Sequence, residues 1–258
     1  IAFLIIFLTN IIIFKIYMNL QEEKKFYQEN GYLVLNKTIP DETCNYFFSL
    51  FKEYSVKNNN ITWSELVQIH RDIPEVLNLI RDPKIVKSVH NVLEGNCVAL
   101  QTVCSFKKFG TRSAKYAWNA HQDNSYIKCK IDTYVSGDIA LDDHQKDSGV
   151  LYVYPGSHKE ELLEFEPHKS FDLPDNENPG NKVINIPKKY KKIDLCLKKG
   201  DVLMFHPLVI HGSYSNNSSD KWRPILLMNY VKKGSSYFEG QRAKRTWIEL
   251  NKDSSKEL

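Results

Sequence analysis

No C-x-x-C pair occurs in the 258 residues, and the five cysteines, Cys44, Cys97, Cys104, Cys129 and Cys196, are scattered and odd in number. That pattern excludes a zinc ribbon, argues against a disulfide framework, and suits reduced thiols in a cytoplasmic compartment. Charge of one sign is lacking too. The 35 Lys+Arg against 31 Asp+Glu leave a net +4, without the clustered excess that marks a nucleic-acid-binding face. Internal repeats are absent. With 42% hydrophobic and 26% charged residues, disordered and fibrous classes are excluded, and the length suits one large domain or two small ones.

Beyond residue 17 no comparably apolar run remains. Residues 1–17 read IAFLIIFLTNIIIFKIY, at the short edge of a membrane-spanning helix, which needs roughly 17–25 residues. They carry no basic leader and no small-residue cleavage site, so a signal peptide is disfavoured. Met18, followed by NLQEEKKFYQENGYLVL, reads as the opening of a domain over 18–258. Residues 1–17 are then either an upstream-frame artefact or an N-terminal anchor, and membrane contact is expected only in the second case.

What is present changes texture near residue 95. The first part reads as helices: a polar helix over Glu22–Glu29, one through Cys44–Tyr54 opened by Pro40-Asp41, one through Val76–Ile80 capped by Asp72, and one restarted at Asp82-Pro83 that ends near Gly95. A short strand, Tyr32–Leu35, and a loop at Asn58–Asn60 interrupt them. Downstream, β-branched and aromatic runs at Val98–Phe106, Asp138–Leu141, Val150–Tyr154, Val202–Phe205 and Ile225–Val231 predict strands. The pattern predicts a mainly β fold with flanking helices, a jelly roll. Residues 165–199, polar and Pro-rich with the basic run Lys188-Lys189-Tyr190-Lys191-Lys192, read as a lid-like insert.

Three β-region elements carry chemistry. In Ala120-His121-Gln122-Asp123-Asn124, side chains two apart on a strand share a face, so His121 and Asp123 can reach one ion. Gly200–Gly212 contains His206 and His211, which differ by five and therefore face oppositely in an unbroken strand; His211 is preferred as a ligand and His206 read as structural. If the strands flanking Asn216–Asp220 pair symmetrically, residue 211 falls opposite Arg223 on one hairpin face. Two His and one carboxylate leave three coordination positions open on an ion, the arrangement of non-haem Fe(II) oxygenases. The Arg fork suits an acidic co-substrate. A second H-x-D, His70-Arg71-Asp72, lies at a helix start, where positions two apart diverge; without a Gly-rich loop or D-F-G it is no kinase motif either. His144, His158 and His168 read as surface or loop residues.

FYQENGYLVL (Phe26–Leu35), AHQDNSYI (Ala120–Ile127), IALDDHQKDSGVLYVYPGSHK (Ile139–Lys159) and KKGDVLMFHPLVIHGSYSNNSSDKWRP (Lys198–Pro224) together resemble the phytanoyl-CoA dioxygenase family of Fe(II)/2-oxoglutarate-dependent oxygenases. The resemblance implies a double-stranded β-helix (jelly roll, cupin-like) with helices on one sheet. It implies His121, Asp123 and His211 as catalytic Fe(II) ligands, Arg223 and Ser213 on the distal carboxylate of 2-oxoglutarate, and Trp118, Lys108 and Gln101 along the co-substrate pocket. From the residues alone, Trp118 reads more readily as core than as a ligand contact. The implied reaction is hydroxylation of an unactivated C–H bond of a small metabolite with O2, releasing succinate and CO2, with ascorbate as a reductant; the carboxylate of Asp123 favours hydroxylation over halogenation. The family acts on CoA thioesters, compatible solutes, phosphonates and secondary metabolites, and the basic run, with no broad apolar stripe, favours a small polar or anionic substrate. Ala120 stands where the family more often has Trp, and residues 165–199 are not family-typical. A cupin-like metal enzyme that needs no 2-oxoglutarate, and a non-catalytic binding member of the fold, are the alternatives.

Overall fold

Alternation along one strand sets the frame of the molecule. In β12 (Arg223–Lys232), Leu226, Met228 and Tyr230 point to an outer face covered by helices, while Arg223, Ile225, Leu227 and Asn229 point into a cavity. A computed structural model describes residues 18–57, 65–167, 180–240 and 244–251. The apolar segment 1–17, the Asn58–Asn60 loop, His168 and the middle of the 165–199 insert lie outside the described residues. Among the described residues, no helix is long and apolar enough to cross a membrane.

Four helices pack on the outer face: α1 (Leu20–Asn30), α2 (Asp41–Lys57), α3 (Val76–Ile80) and α4 (Pro83–Leu93). Local chemistry starts two of them. The Asn19 side chain accepts from the Gln21 and Glu22 amides while Glu22 Oε2 accepts from Asn19 N at 2.8 Å, a capping box. Asp82 accepts from the Lys84 and Ile85 amides ahead of Pro83. Asp72 does not cap α3; it accepts from Tyr54 Oη at 2.8 Å, and α3 begins at Glu75 without a side-chain cap. Asp72 is the C-terminal cap residue of a single 3₁₀ turn, Ile69–Arg71, three residues ahead of the N-cap position Glu75. Phe47, Phe51, Ile85 and Val89 bury against the sheet, and each such side chain removed from water contributes roughly 1.5–3 kcal/mol.

The fold is an antiparallel jelly roll. Its major sheet runs β1 (Tyr32–Leu35), β10 (Val202–Phe205), β5 (Tyr134–Ala140), β12, β3 (Cys97–Lys107), β2 (Glu65–Val67). The minor sheet runs β4 (Trp118–His121), β11 (His211–Ser213), β6 (Leu151–Val153), β9 (Ile193–Leu195), and β7 (Phe165–Glu166) pairs with β8 (Lys182–Val183) alone. Ala140, Leu151, Val153, Leu203, Phe205 and Val209 join the inner faces of the two large sheets at one end, and the cavity opens at the other.

Topology corrects the hairpin expectation. β11 belongs to the minor sheet and β12 to the major one, so His211 pairs with His121 and Val153, while Arg223 pairs with Lys107. The chain crosses between sheets at Asn216–Asp220 instead of folding back on itself. The insert also contributes structure that its polarity hides: β9 is the outer strand of the minor sheet, paired only with β6. Lys192 lies over the Tyr152 and Tyr214 rings at 4.8 and 4.7 Å, on the face of β6 opposite the cavity-lining Leu151. His144, expected at the surface, is only 2% exposed, because its loop folds under Leu197, whose carbonyl accepts from the His144 amide at 2.8 Å. His158 is half-buried against His206, ring centroids 5.1 Å apart.

Candidate metal and co-substrate site

The cavity between the sheets has a volume of about 390 Å³. His121 closes β4 and Asp123 follows in a helical turn (φ −57°, ψ −29°) that starts the one-turn helix Asn124–Ile127. The expected strand alternation therefore does not extend to Asp123; the turn swings its carboxylate back toward the histidine instead. Asp123 Oδ1 lies 3.6 Å from His121 Nε2 and 3.5 Å from His211 Nε2. All three ligating atoms fall within 4.8 Å of one another, and among the described residues no other group of three His, Cys, Asp or Glu side chains converges this way.

Each of these groups is oriented from behind. His121 Nδ1–H donates to Asn119 O at 2.7 Å and His211 Nδ1–H to Val209 O at 3.1 Å. A carbonyl can only accept, so each ring carries a proton on Nδ1 and turns Nε2 toward the cavity. The His211 ring stacks on Phe205, centroids 4.4 Å apart at 16°. Asp123 Oδ2 accepts from Ser136 Oγ, which is itself within 3.0 Å of Tyr134 Oη and accepts from Asn229 Nδ2 at 3.1 Å. Burial would raise the Asp123 pKa, but His211, His121 and the Ser136 hydroxyl outweigh it and hold the carboxyl well below its usual range. Burial, then the neighbouring His121, presses His211 down to about 4. At neutral pH the set is one carboxylate with a neutral His211, the protonation a divalent cation requires.

Arg223 lies at the other end of the same cavity wall, 1% exposed, with Nε and Nη1 lacking any hydrogen-bond partner. Burial lowers its pKa to about 10, opposed by Asp138 and Glu65, so it remains a cation. Beside it Lys107 is 2% exposed. Its Nζ donates to Tyr116 O at 2.8 Å, to Ser213 Oγ at 2.9 Å and to Tyr214 O. Because Ser213 Oγ accepts from Lys107, its own hydrogen is free to donate into the cavity. Asp138 and Glu65 line the same space, and burial, foremost, pushes each carboxyl up to about 7.

His121, Asp123, His211, Arg223, Ser213, Trp118 and Gln101 thus all line one cavity. The Trp118 ring sits 6.1 Å from the His121 ring. His206 is elsewhere, its Nε2 3.0 Å from Asp132 Oδ1. Lys108 is the misplaced residue: its Nζ lies 5.2 Å from the Trp222 ring centroid, outside the cavity. Strand parity supplies the reason. Gln101, Val103 and Ser105 face inward, so 107 faces inward and 108 outward; 101 and 108, an odd number apart, could not both line the cavity. Parity would have found Lys107 from sequence. Ser136, Asp138 and Asn229 follow from the inward phase of β5 and β12 once register is known, whereas Glu65 and Arg245 gave no local signal.

A family model described as phytanoyl-CoA dioxygenase (PhyH) matches residues 27–225. Human peroxisomal phytanoyl-CoA dioxygenase is 27% identical over 243 residues, covering 84% of this chain and 70% of the relative, and the bovine protein is 26% identical, covering 88% and 73%. Among solved structures, the non-heme alpha-ketoglutarate-dependent carbocyclase SnoK from nogalamycin biosynthesis superposes with a TM-score of 0.70 at 18% identity, covering 89% of this chain and 92% of its own. HygX from Streptomyces hygroscopicus, with nickel and 2-oxoglutarate bound, superposes at 0.64 and 15% identity, covering 83% and 87%. The chain belongs to the phytanoyl-CoA dioxygenase family and is an oxygenase.

Proposed function

We propose that the protein hydroxylates an unactivated C–H bond of a small anionic metabolite, with Fe(II) held by His121 Nε2, His211 Nε2 and Asp123 Oδ1, and 2-oxoglutarate held at its distal carboxylate by Arg223. The observation that carries this reading is the buried, unpartnered Arg223 fork facing the same cavity as the triad. An unsatisfied buried guanidinium is costly, and a carboxylate bonding it bidentately removes that cost. The donor set fits a divalent transition ion with open positions, and HygX is described with 2-oxoglutarate bound.

Bound there, iron with 2-oxoglutarate and O2 supplies the oxidant for hydroxylation, with succinate and CO2 as co-products and ascorbate as a reductant of the metal. The chain's own part is positional. Asn119 O and Val209 O lock the two imidazole tautomers, and Ser136 holds Asp123 Oδ2 so that Oδ1 faces the ion. Ser213 and Lys107 complete the anion site around Arg223, with Lys107 replacing Lys108 in that role. Trp118 and Gln101 bound the space left for substrate. The insert closes on this rim: Asn119 Nδ2 donates to Gly180 O at 3.2 Å, and Asn181 Nδ2 to Ser125 Oγ at 2.9 Å, which supports its role as a lid on a single domain over 18–258. Five free cysteines, four of them buried, support a reducing compartment such as the cytoplasm; the mammalian relatives are described as peroxisomal.

Anaerobic titration of the Fe(II)-loaded protein with 2-oxoglutarate tests the reading. A weak visible metal-to-ligand charge-transfer band is expected, and Arg223→Ala weakens the affinity at least tenfold. Iron binding without the band would remove the co-substrate and favour a cupin-like metal enzyme, and no iron binding would make the triad structural.

A further inference from the structure

Arg245 lines the same cavity as the metal triad, where the Asp123 carboxylate favours its charged form, but among the described residues it is held in no salt bridge. The segment that carries it, residues 244–251, is tied to the major sheet by reciprocal hydrogen bonds between Ala99 and Ile248, 2.9 and 2.8 Å long. Two positions of the guanidinium are fixed: Nε donates to Gln101 Oε1 at 2.6 Å and Nη1 to Phe238 O at 2.9 Å. Among the described residues, no hydrogen bond engages Nη2 and no ion pair involves Arg245. A half-buried cation that lines the cavity, with two nitrogens clamped by neutral acceptors and the third unengaged, is placed to receive an anion.

Its place in the fold separates it from the co-substrate site. Arg223 pairs with Lys107 at one end of the β12–β3 ladder, and Asn229 pairs with Gln101, the anchor of Arg245, six residues along. At about 3.3 Å per residue the two ends lie roughly 20 Å apart along the strands. The triad falls between the two cations: Asp123 is held through Ser136 to Asn229, while His211 lies two residues from Ser213, which accepts from Lys107 beside Arg223. The cavity wall between is apolar, formed by Val67, Val103, Ile127 and Leu227. A molecule seated on that wall with its charge on Arg245 presents its apolar part to the triad.

We propose that Arg245, clamped by Gln101 and Phe238 O, binds a carboxylate or phosphate group of the primary substrate, whose apolar body lies over Val103, Ile127 and Leu227. The inference rests on the proposed oxygenase reading and names its substrate class, an amphipathic organic anion.

Calorimetric titration of the protein holding Mn(II) and saturating 2-oxoglutarate with octanoate, octyl phosphate and octanamide tests it. Wild type is expected to bind at least one of the two anions tenfold or more tighter than the neutral amide; whichever binds tighter identifies the head group. Arg245→Gln brings the anions to within twofold of the amide, Arg245→Lys keeps at least a threefold preference, and 2-oxoglutarate affinity stays unchanged in both. Equal binding of all three compounds by wild type overturns the proposal. So does an anion preference that survives in Arg245→Gln, or a parallel loss of 2-oxoglutarate affinity in that variant, which marks a structural role. Failure of the oxygenase reading is visible separately, as absent 2-oxoglutarate binding by wild type before any octyl compound is added.

Discussion

Asp138→Asn is expected to stabilise the metal-free protein, increasingly so as pH rises. Asp138 lies mid-strand in β5, 3% exposed, with Oδ1 unpartnered. Burial, then the charge of Asp123, raises its carboxyl from 3.8 to about 7, with Arg223 and His121 pulling the other way. A carboxyl raised in the folded state costs almost nothing below about pH 3, where both states are protonated. The cost grows as pH climbs toward 7, because the unfolded chain ionises first, and is complete above that. At about 1.4 kcal/mol per pH unit the ceiling is about 4 kcal/mol at pH 8 and about 2 kcal/mol at pH 5. Relaxation and the effective polarity of real interiors reduce such figures. The near-isosteric amide should therefore gain about 2 kcal/mol at pH 8 and about 1 kcal/mol at pH 5. For a chain of this size that corresponds to a rise in Tm of about 4–8 °C at pH 8. Urea unfolding in EDTA at the two pH values measures it. An equal gain at both would show that packing, not charge, is responsible, and a loss at pH 8 would refute the reasoning.

Ser136→Ala removes the hydroxyl that holds Asp123 Oδ2 and should weaken Fe(II) or Mn(II) affinity about 10–100-fold, read by metal titration, with folding preserved by circular dichroism. Lys107→Met leaves Tyr116 O, Tyr214 O and Ser213 Oγ without their buried donor. It should lose about 2 kcal/mol of stability and raise the 2-oxoglutarate Kd at least tenfold, whereas Lys108→Met leaves that Kd unchanged. Gly200→Ala places a Cβ 2.1 Å from Ile39 O at φ +82°, disturbing the turn in which the Gly200 carbonyl accepts from the Thr38 and Ile39 amides; a loss of about 3 kcal/mol in urea unfolding is expected.

The helix start at Asp82, the strands Tyr32–Leu35 and Val202–Phe205, and the cavity-lining residues His121, Asp123, His211 and Arg223 were legible in the chain. Those features are local: a cap is written within four residues, a strand within five, and a chelating motif within three. Residues 193–195 were hidden for an equally local reason, since β9 sits at a sheet edge with Ile193 and Asp194 exposed and so lacks an apolar signature.

Tertiary structure decided everything that depends on which strands lie side by side. It put His211 beside His121 and Arg223 beside Lys107, where a hairpin had been expected. It made Lys107 and not Lys108 the buried lysine, and brought Asp138, Glu65 and Arg245 from three separate stretches to one cavity. Sequence carries the period of a strand but not its partner. Pairing is chosen by burial summed over both sheets, and a shift of one residue in register would turn every one of these side chains to the opposite face.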